Sequence, residues 1–142
     1  MKPLYTSLNT QIPGLDKPLR EPHPDYPPNQ DVLDRMNSSE YQSRIKDSRY
    51  DCSEIARDLH DAADGKGEIL EVRSVEKYGS INVFENGVIE EGMDYHQVYS
   101  DGQYIYEPRI TSQAMPKGDW EKHIKGINDC QIKISDKPKG LR

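Results

Sequence analysis

The clearest helical pattern in the chain lies between residues 51 and 64. Apolar residues recur there at the three- and four-residue spacing of an amphipathic helix, at Ile55, Ala56, Leu59, Ala62 and Ala63. Asp51 and Glu54 form the acidic variant of a capping box, and Gly65 is a typical helix end. The pattern predicts a helix whose first residue is Cys52.

The residues before this helix divide into two parts. Seven of the ten prolines lie in the first 28 residues, and proline fixes φ and lacks a backbone N–H. Residues 1–29 are therefore expected to form a proline-rich linker or leader. From residue 31 the apolar spacing predicts one or two short helices, and Ser38 and Ser39 are suited to end the first and cap the second.

After residue 65 the apolar period changes from helical to two, which is typical of β-strands. Strand-like runs occupy residues 68–75 and 81–83, and Asn86-Gly87 is a hairpin signal before a strand that starts at Val88. Asp101-Gly102 is a second hairpin signal, between strands expected at residues 95–99 and 103–107.

The C-terminal part of the chain predicts one more helix and one more strand. Asp119 is suited to cap a helix in which Trp120, Ile124 and Ile127 share a face, and the alternation at residues 131–134 predicts a short strand. We expect one α+β domain over residues 30–135, helices first and antiparallel sheet after, followed by a flexible tail at 136–142.

Composition excludes several classes of protein. The 142 residues suit a single domain, and no apolar run approaches the ~18 residues that cross a bilayer. The start of the chain lacks the apolar stretch of a signal peptide. With 25 acidic and 19 basic side chains, the latter scattered, neither nucleic acid nor a membrane is an expected partner.

Cys52 is the first candidate for chemistry. A thiol attacks as its thiolate, and the N–H groups and dipole at a helix N-terminus favour that anion. Its spacing from Ile55 and Ala56 predicts that the thiol faces the sheet. The other cysteine, Cys130, is interpreted as a small apolar residue at a strand end, and a bridge from Cys52 to Cys130 stays open as an alternative.

The predicted second hairpin supplies a base and a carboxylate. With Asp101-Gly102 as a two-residue loop, His96 faces Glu107 directly across the ladder, where Cβ atoms lie ~4.5 to 5.5 Å apart. Glu107 can then fix one ring nitrogen and leave the other as a base. Cys52, His96 and Glu107 together suit thiol-dependent acyl transfer, although each alone is more often a buried filler or a surface pair.

Other candidates are weaker. His60 and His123 are interpreted as surface residues of their helices, and no pair among His60, His96 and His123 has metal-ligand spacing. We therefore expect neither a metal nor another cofactor. The backbone N–H of Cys52 is the best candidate for an oxyanion donor, and Gln97 is a weaker one because alternation points it away from the face of His96.

Three runs of the sequence resemble papain-fold toxin domains at the C-termini of bacterial polymorphic toxins. They are DCSEIARDLHDAADGKGEILEV at 51–72, DYHQVYSDGQYIYEPR at 94–109 and PKGDWEKHIKGIN at 116–128. The resemblance implies a papain-like fold with Cys52 as nucleophile, His96 as base and the acid before Pro108 as the residue that orients the base. Glu107 stands here where the family pattern has Asp.

The resemblance also implies a biological setting. Such domains are peptidases or protein glutamine deamidases of contact-dependent inhibition, Rhs and haemagglutinin-like toxins, secreted as the end of a larger carrier and delivered to the cytoplasm of a target bacterium. A target-cell protein would be the substrate, and a cognate immunity protein a partner. The alternative is a non-catalytic protein-binding module, an immunity or adaptor protein, with Tyr99, Tyr104 and Tyr106 as contact aromatics.

Overall fold

The computed structural model describes residues 12–136 and confirms an α+β arrangement of helices and antiparallel strands. The helices are α1 (Gln30–Asn37), α2 (Ser39–Arg44), α3 (Cys52–Ala62) and α4 (Lys117–Gly126). The strands are β1 (Glu68–Ser74), β2 (Ile81–Glu85), β3 (Val88–Met93), β4 (His96–Ser100), β5 (Tyr104–Tyr106), β6 (Met115–Pro116) and β7 (Ile132–Asp136). None of the helices within residues 12–136 is long and apolar enough to cross a membrane.

Local sequence signals determine where the first three helices begin and end. The Ser38 side chain caps α2 by accepting from the N–H of Tyr41 at 3.2 Å. The capping box predicted for α3 is present, and Glu54 accepts from the N–H of Asp51 at 2.9 Å. Gly65 follows α3 with a φ of +78°, which suits glycine. These contacts confirm Cys52 as the first residue of its helix.

Five strands form one sheet in the order β6-β5-β4-β1-β7, and β2 and β3 form a separate hairpin. Side chains from β4 alternate between two apolar cores. Tyr99 packs with residues of α1, α2 and α3 on one face, whereas Val98 packs with α4 and with β2 on the other. Because His96 has the same parity as Val98, it belongs to the α4 face of the sheet.

The second hairpin has a different register from the one expected. Tyr99 pairs with Tyr106 rather than with Tyr104, so each β4 residue lies opposite a partner two positions later than predicted. His96 is therefore not directly opposite Glu107. A shift of two preserves the face of every side chain, because side chains along a strand alternate with a period of two.

The Asp101 side chain explains this register. Its carboxylate accepts from the N–H groups of Gln103 at 2.9 Å and Tyr104 at 2.8 Å, and from the hydroxyl of Tyr106 at 2.6 Å. These contacts build a longer loop in which Gly102, with a φ of +99°, has a positive φ and Asp101 does not. The prediction of a two-residue loop was wrong, because Ser100 pairs with Ile105 and four residues lie between them.

Part of the expected leader lies against the rest of the molecule. Residues 12–29 contain neither helix nor strand, but Leu19 is buried in the core under α4. The Tyr104 hydroxyl accepts from the N–H of His23 at 2.9 Å, and the Tyr106 hydroxyl accepts from the N–H of Asn29 at 2.8 Å. Residues 1–11 of the predicted leader and 137–142 of the predicted tail lie outside the described residues.

The C-terminal helix begins earlier than predicted. Its first residue is Lys117, after Pro116, and Asp119 lies inside the first turn. The Asp119 carboxylate is bound instead to the N–H of Arg20 at 2.9 Å and to its Nε at 3.2 Å. The expectation that Asp119 caps the helix was wrong, because a distant part of the chain uses its carboxylate.

Candidate active site

Cys52 is buried beside a small cavity between α3 and the sheet. Its side chain is 6% exposed, and the cavity, of about 10 Å³, is lined by residues of α3, β4 and the chain after β5. That volume is room for about one water molecule. Cys52 and His96 both line it, although α3 and the side chain of His96 belong to opposite faces of the sheet.

The short length of β5 explains how the two faces meet. The β4–β5 pairing covers Tyr99 and Ser100, and β5 ends at Tyr106. The chain after Tyr106 no longer pairs with β4, so β4 has no β5 neighbour beside His96. The N-terminus of α3 therefore approaches His96 where a longer β5 would separate them.

Glu107 fixes the orientation of the His96 ring. Both carboxylate oxygens lie 3.0 Å from Nε2 of His96, and Trp120 donates its indole N–H to Oε2 at 3.1 Å. All three side chains are buried, with Trp120 fully enclosed in the core of α4. A carboxylate held by two donors cannot rotate freely, so the imidazole it binds is held as well.

The electrostatics favour a charged pair. Burial opposes protonation of His96, but the Glu107 carboxylate and then Cys52 outweigh it and raise the pKa of His96 well above its usual value. Burial likewise acts to raise the pKa of Glu107, but the His96 charge and the hydrogen bonds from His96 and Trp120 lower it overall. The Glu107 carboxylate therefore makes the His96 ring a stronger proton acceptor and stabilises the imidazolium that forms when the ring takes up a proton.

The second nitrogen of His96 is left for the thiol. Nδ1 is buried without a hydrogen-bond partner among residues 12–136, while Nε2 is held by Glu107. Cys52 acts on the pKa of His96, although no hydrogen bond of ordinary geometry joins its sulfur to Nδ1. The structure thus brings the three residues predicted from the sequence together at one cavity.

Polar side chains surround the start of α3. The Asp51 carboxylate accepts from the hydroxyls of Ser53 at 2.6 Å and Tyr95 at 3.0 Å. Burial raises the pKa of Asp51, but hydrogen bonds, including one from the N–H of Cys52, lower it overall. An oxyanion bound by that N–H would compete with Asp51. Gln97, the weaker candidate, donates its amide to Glu71 at 2.8 Å.

Two charged residues of the site were not identified from the sequence. Glu85, at the end of β2, lines the cavity, and burial raises the pKa of its carboxyl above the usual value. Arg109 is 8% exposed and lies 3.7 Å from the Glu85 carboxylate. Both come from chain segments whose pattern indicates only a strand end, so no local signal could have placed them here.

The remaining candidates lie elsewhere, and two interpretations were wrong. His123 is fully buried rather than on the surface, with Nδ1 2.6 Å from the carbonyl of Pro13. Cys130 is exposed in a turn with a φ of +62°, not a buried apolar residue, and it forms no bridge to Cys52. No group of three or more His, Cys, Asp or Glu side chains within residues 12–136 is arranged to hold a metal ion.

Comparisons with protein-family models, with curated proteins and with solved structures found no match to this chain. The resemblance to papain-fold toxin domains therefore stays a prediction from the sequence.

Proposed function

We propose that this chain is a papain-like thiol hydrolase of protein carboxamides, with Cys52 as nucleophile, His96 as base and Glu107 as the residue that orients the base. One observation carries the proposal. The His96 ring is held through Nε2 by a buried carboxylate, its Nδ1 has no hydrogen-bond partner among residues 12–136, and His96 and Cys52 line the same cavity. A nucleophile, a base and an oriented carboxylate in this order are the components of thiol-dependent acyl transfer.

The reaction proceeds in two stages. The Cys52 sulfur attacks the carboxamide carbon as its proton passes to Nδ1 of His96, and that proton then leaves with the amine, giving a thioester. Water attacks the thioester, His96 takes a proton from it, and the carboxylic acid is released as the thiol re-forms. If the released amine is ammonia, the enzyme is a glutamine deamidase. If the released amine is a new peptide N-terminus, the enzyme is a peptidase.

The resemblance supports the biological part of the proposal. The domain would act as the toxic C-terminal end of a larger secreted carrier, on a protein in the cytoplasm of a target bacterium, with a cognate immunity protein as its inhibitor.

Growth measurements test the proposal. The wild-type chain, Cys52→Ala and His96→Ala are produced in the cytoplasm of a susceptible bacterium, with Cys130→Ala as the matched control because Cys130 is exposed and outside the cavity. The wild type and the control should arrest growth, whereas the two site variants should not. Equal growth of wild type and Cys52→Ala would remove the enzyme hypothesis.

A purified-protein assay separates the two reactions. A glutamine-containing protein digest is incubated with wild type and with Cys52→Ala, and both released ammonia and new peptide N-termini are measured. Ammonia alone indicates a deamidase, and new N-termini alone indicate a peptidase. Neither product above the level of Cys52→Ala contradicts hydrolysis of carboxamides.

A non-catalytic binding module is the second candidate. Val88 and Ile89 of β3 are 55% and 43% exposed, on opposite faces of the β2–β3 hairpin, and exposed apolar side chains of this size are available to a protein partner. The tyrosines expected as contact aromatics, Tyr99, Tyr104 and Tyr106, are buried and so are not at a surface. If Val88→Ser and Ile89→Ser abolish growth arrest while Cys52→Ala does not, this candidate replaces the first.

A further inference from the structure

Arg109 connects the chain segment before Cys52 to the strand that leads to Glu107. Its Nε donates to the carbonyl of Ile45 at 2.7 Å, and its Nη2 donates to the carbonyls of Asp47 at 2.9 Å and Tyr50 at 2.6 Å. These three carbonyls belong to residues 45–50, the segment between α2 and the Asp51 cap of α3. A single guanidinium thus binds this segment at three points.

The third nitrogen of the guanidinium is also engaged. Nη1 lies 3.7 Å from the Glu85 carboxylate, which lines the same cavity as Cys52. The planar fork of arginine suits this pattern, since it presents donors in several fixed directions, whereas lysine has one compact charge. Arg109 is 8% exposed, so these contacts form where water competes little.

The neighbouring hairpin strengthens the same attachment. The side chain of Asn86 donates to the carbonyl of Ile45 at 3.3 Å, and the backbone N–H of Asn86 donates to the carbonyl of Arg109 at 2.8 Å. The β2–β3 turn, Arg109 and the segment before α3 therefore form one hydrogen-bonded unit. Tyr50, its last anchored residue, is two positions before Cys52.

We propose that Arg109 is a positioning residue that holds the Cys52 thiol against His96, an inference that rests on the proposed hydrolase function. Glu107 and Arg109 are two residues apart. The first fixes the ring of the base, and the second fixes the segment from which the nucleophile projects. One short stretch of chain, residues 107–109, thereby sets the relative position of both reacting groups.

The test measures how strongly His96 activates Cys52, with and without Arg109. In a Cys130→Ser background, the rate of Cys52 alkylation by iodoacetamide is measured in the presence of His96 and in His96→Ala. The ratio of the two rates should be about tenfold or more with Arg109 in place. In Arg109→Met it should fall to about twofold or less, since a displaced thiol gains nothing from the imidazole.

Controls separate positioning from a general loss of structure. Ile124→Ala removes a buried side chain of the α4 core, far along the chain from residues 45–50, and should leave the ratio unchanged. Arg109→Lys should give an intermediate ratio. If Arg109→Met does not fold, the double variant Arg109→Met with Glu85→Gln avoids a buried carboxylate without its partner and takes its place.

The outcomes of the two proposals are distinguishable. If the alkylation ratio is large and is the same in Arg109→Met as in the protein with Arg109, the positioning role is overturned and the hydrolase proposal stands. Absence of ammonia and new N-termini in the digest assay overturns the hydrolase proposal, while the alkylation ratio still measures positioning. A ratio near one in the wild type overturns both.

Discussion

Glu107 lies one residue beyond the end of β5, yet both of its carboxylate oxygens lie 3.0 Å from Nε2 of His96. The two residues share a face of the sheet but are diagonal neighbours, because Tyr99 pairs with Tyr106. A glutamate is long enough to span this diagonal, and Trp120 holds its carboxylate at the far end. The contact between base and acid therefore depends on the length of the side chain as well as on the register.

Replacing Glu107 with Gln should shift the pH dependence of turnover. The carboxylate raises the pKa of His96, so its removal lowers that pKa, and the imidazolium that protonates the leaving amine is lost at a lower pH. The upper limb of the kcat/KM profile should move to lower pH. We expect a loss of about tenfold at neutral pH, against about a hundredfold or more for His96→Ala.

A pH profile of the purified variants checks this expectation. Glu107→Asp is the companion variant: the family pattern predicts that it retains function, but because His96 and Glu107 are diagonal neighbours we expect the shorter carboxylate to lose part of the activity. An upper limb in Glu107→Gln at the same pH as in wild type would show that Glu107 does not act on the ionisation of His96.

Cysteine reagents of different size should distinguish the two thiols. Cys52 is buried beside a cavity of about 10 Å³, whereas Cys130 is exposed. A small reagent such as iodoacetamide should modify Cys52 below pH 7 faster than Cys130, because the imidazolium of His96 favours its reactive form. A bulky maleimide should modify Cys130 first.

Mass spectrometry of digested samples gives both rates in one experiment. Because both cysteines are free, no reductant should be required. The same order of reaction with the small and the bulky reagent would contradict the burial of Cys52 beside so small a cavity.

His123 should make the fold sensitive to acid. It is fully buried, Nδ1 donates to the carbonyl of Pro13, and Nε2 has no partner within residues 12–136. Burial lowers its pKa below the ordinary 6.5, so the unfolded chain binds the proton more readily than the folded chain does. Stability from the neutral ring is present above pH 6.5 and is lost as the pH falls towards the lowered pKa.

The variant His123→Asn keeps an N–H donor but cannot titrate. Its free energy of unfolding, measured by urea denaturation, should fall less between pH 6.5 and 5 than that of wild type, by up to ~1.4 kcal/mol per pH unit for one proton. His96, whose pKa is raised, acts in the opposite sense and is common to both proteins. His60→Asn is the matched control on a half-exposed histidine, and identical slopes for wild type and His123→Asn would refute the assignment.

The β4–β5 loop should tolerate an added methyl better than the loss of its carboxylate. A Cβ at Gly102 would meet no atom within 4 Å, so Gly102→Ala costs only the strain of its φ of +99°, about 1 to 2 kcal/mol. Asp101→Ala removes the acceptor for two N–H groups and for the Tyr106 hydroxyl, and should cost about 2 to 4 kcal/mol.

Urea denaturation of the two variants measures both costs. Gly102→Val is the more severe test, because a β-branched residue is disfavoured at positive φ. A larger loss in Gly102→Ala than in Asp101→Ala would mean that the glycine, not the carboxylate, sets the register.

The sequence was informative where the determinants are local. The start of α3 at Cys52 follows from a capping box whose residues are three positions apart, and short-range patterns of that kind survive folding. The face shared by His96 and Glu107 was predicted even with the wrong register, because an error of two positions conserves the face.

Long-range contacts account for what the sequence did not reveal. Arg109 binds carbonyls about 60 positions away, and backbone carbonyls carry no sequence signal. His123 is buried because Pro13, from the opposite end of the described chain, covers it. The local patterns around Arg109 and His123 indicate a strand end and a helix surface. Such patterns carry no information on the distant segments that pack against these residues in the folded chain.

The tyrosine hydroxyls that hold residues 23–29 belong to β5, the strand that ends one residue before Glu107. Tyr104 binds the backbone of His23 and Tyr26, and Tyr106 binds that of Asn29. Order in residues 23–29 and order in β5 are therefore thermodynamically linked, and linkage is reciprocal. A molecule that captures this segment competes with β5 for it, and a molecule that fixes β5 strengthens the hold on the segment by the same factor.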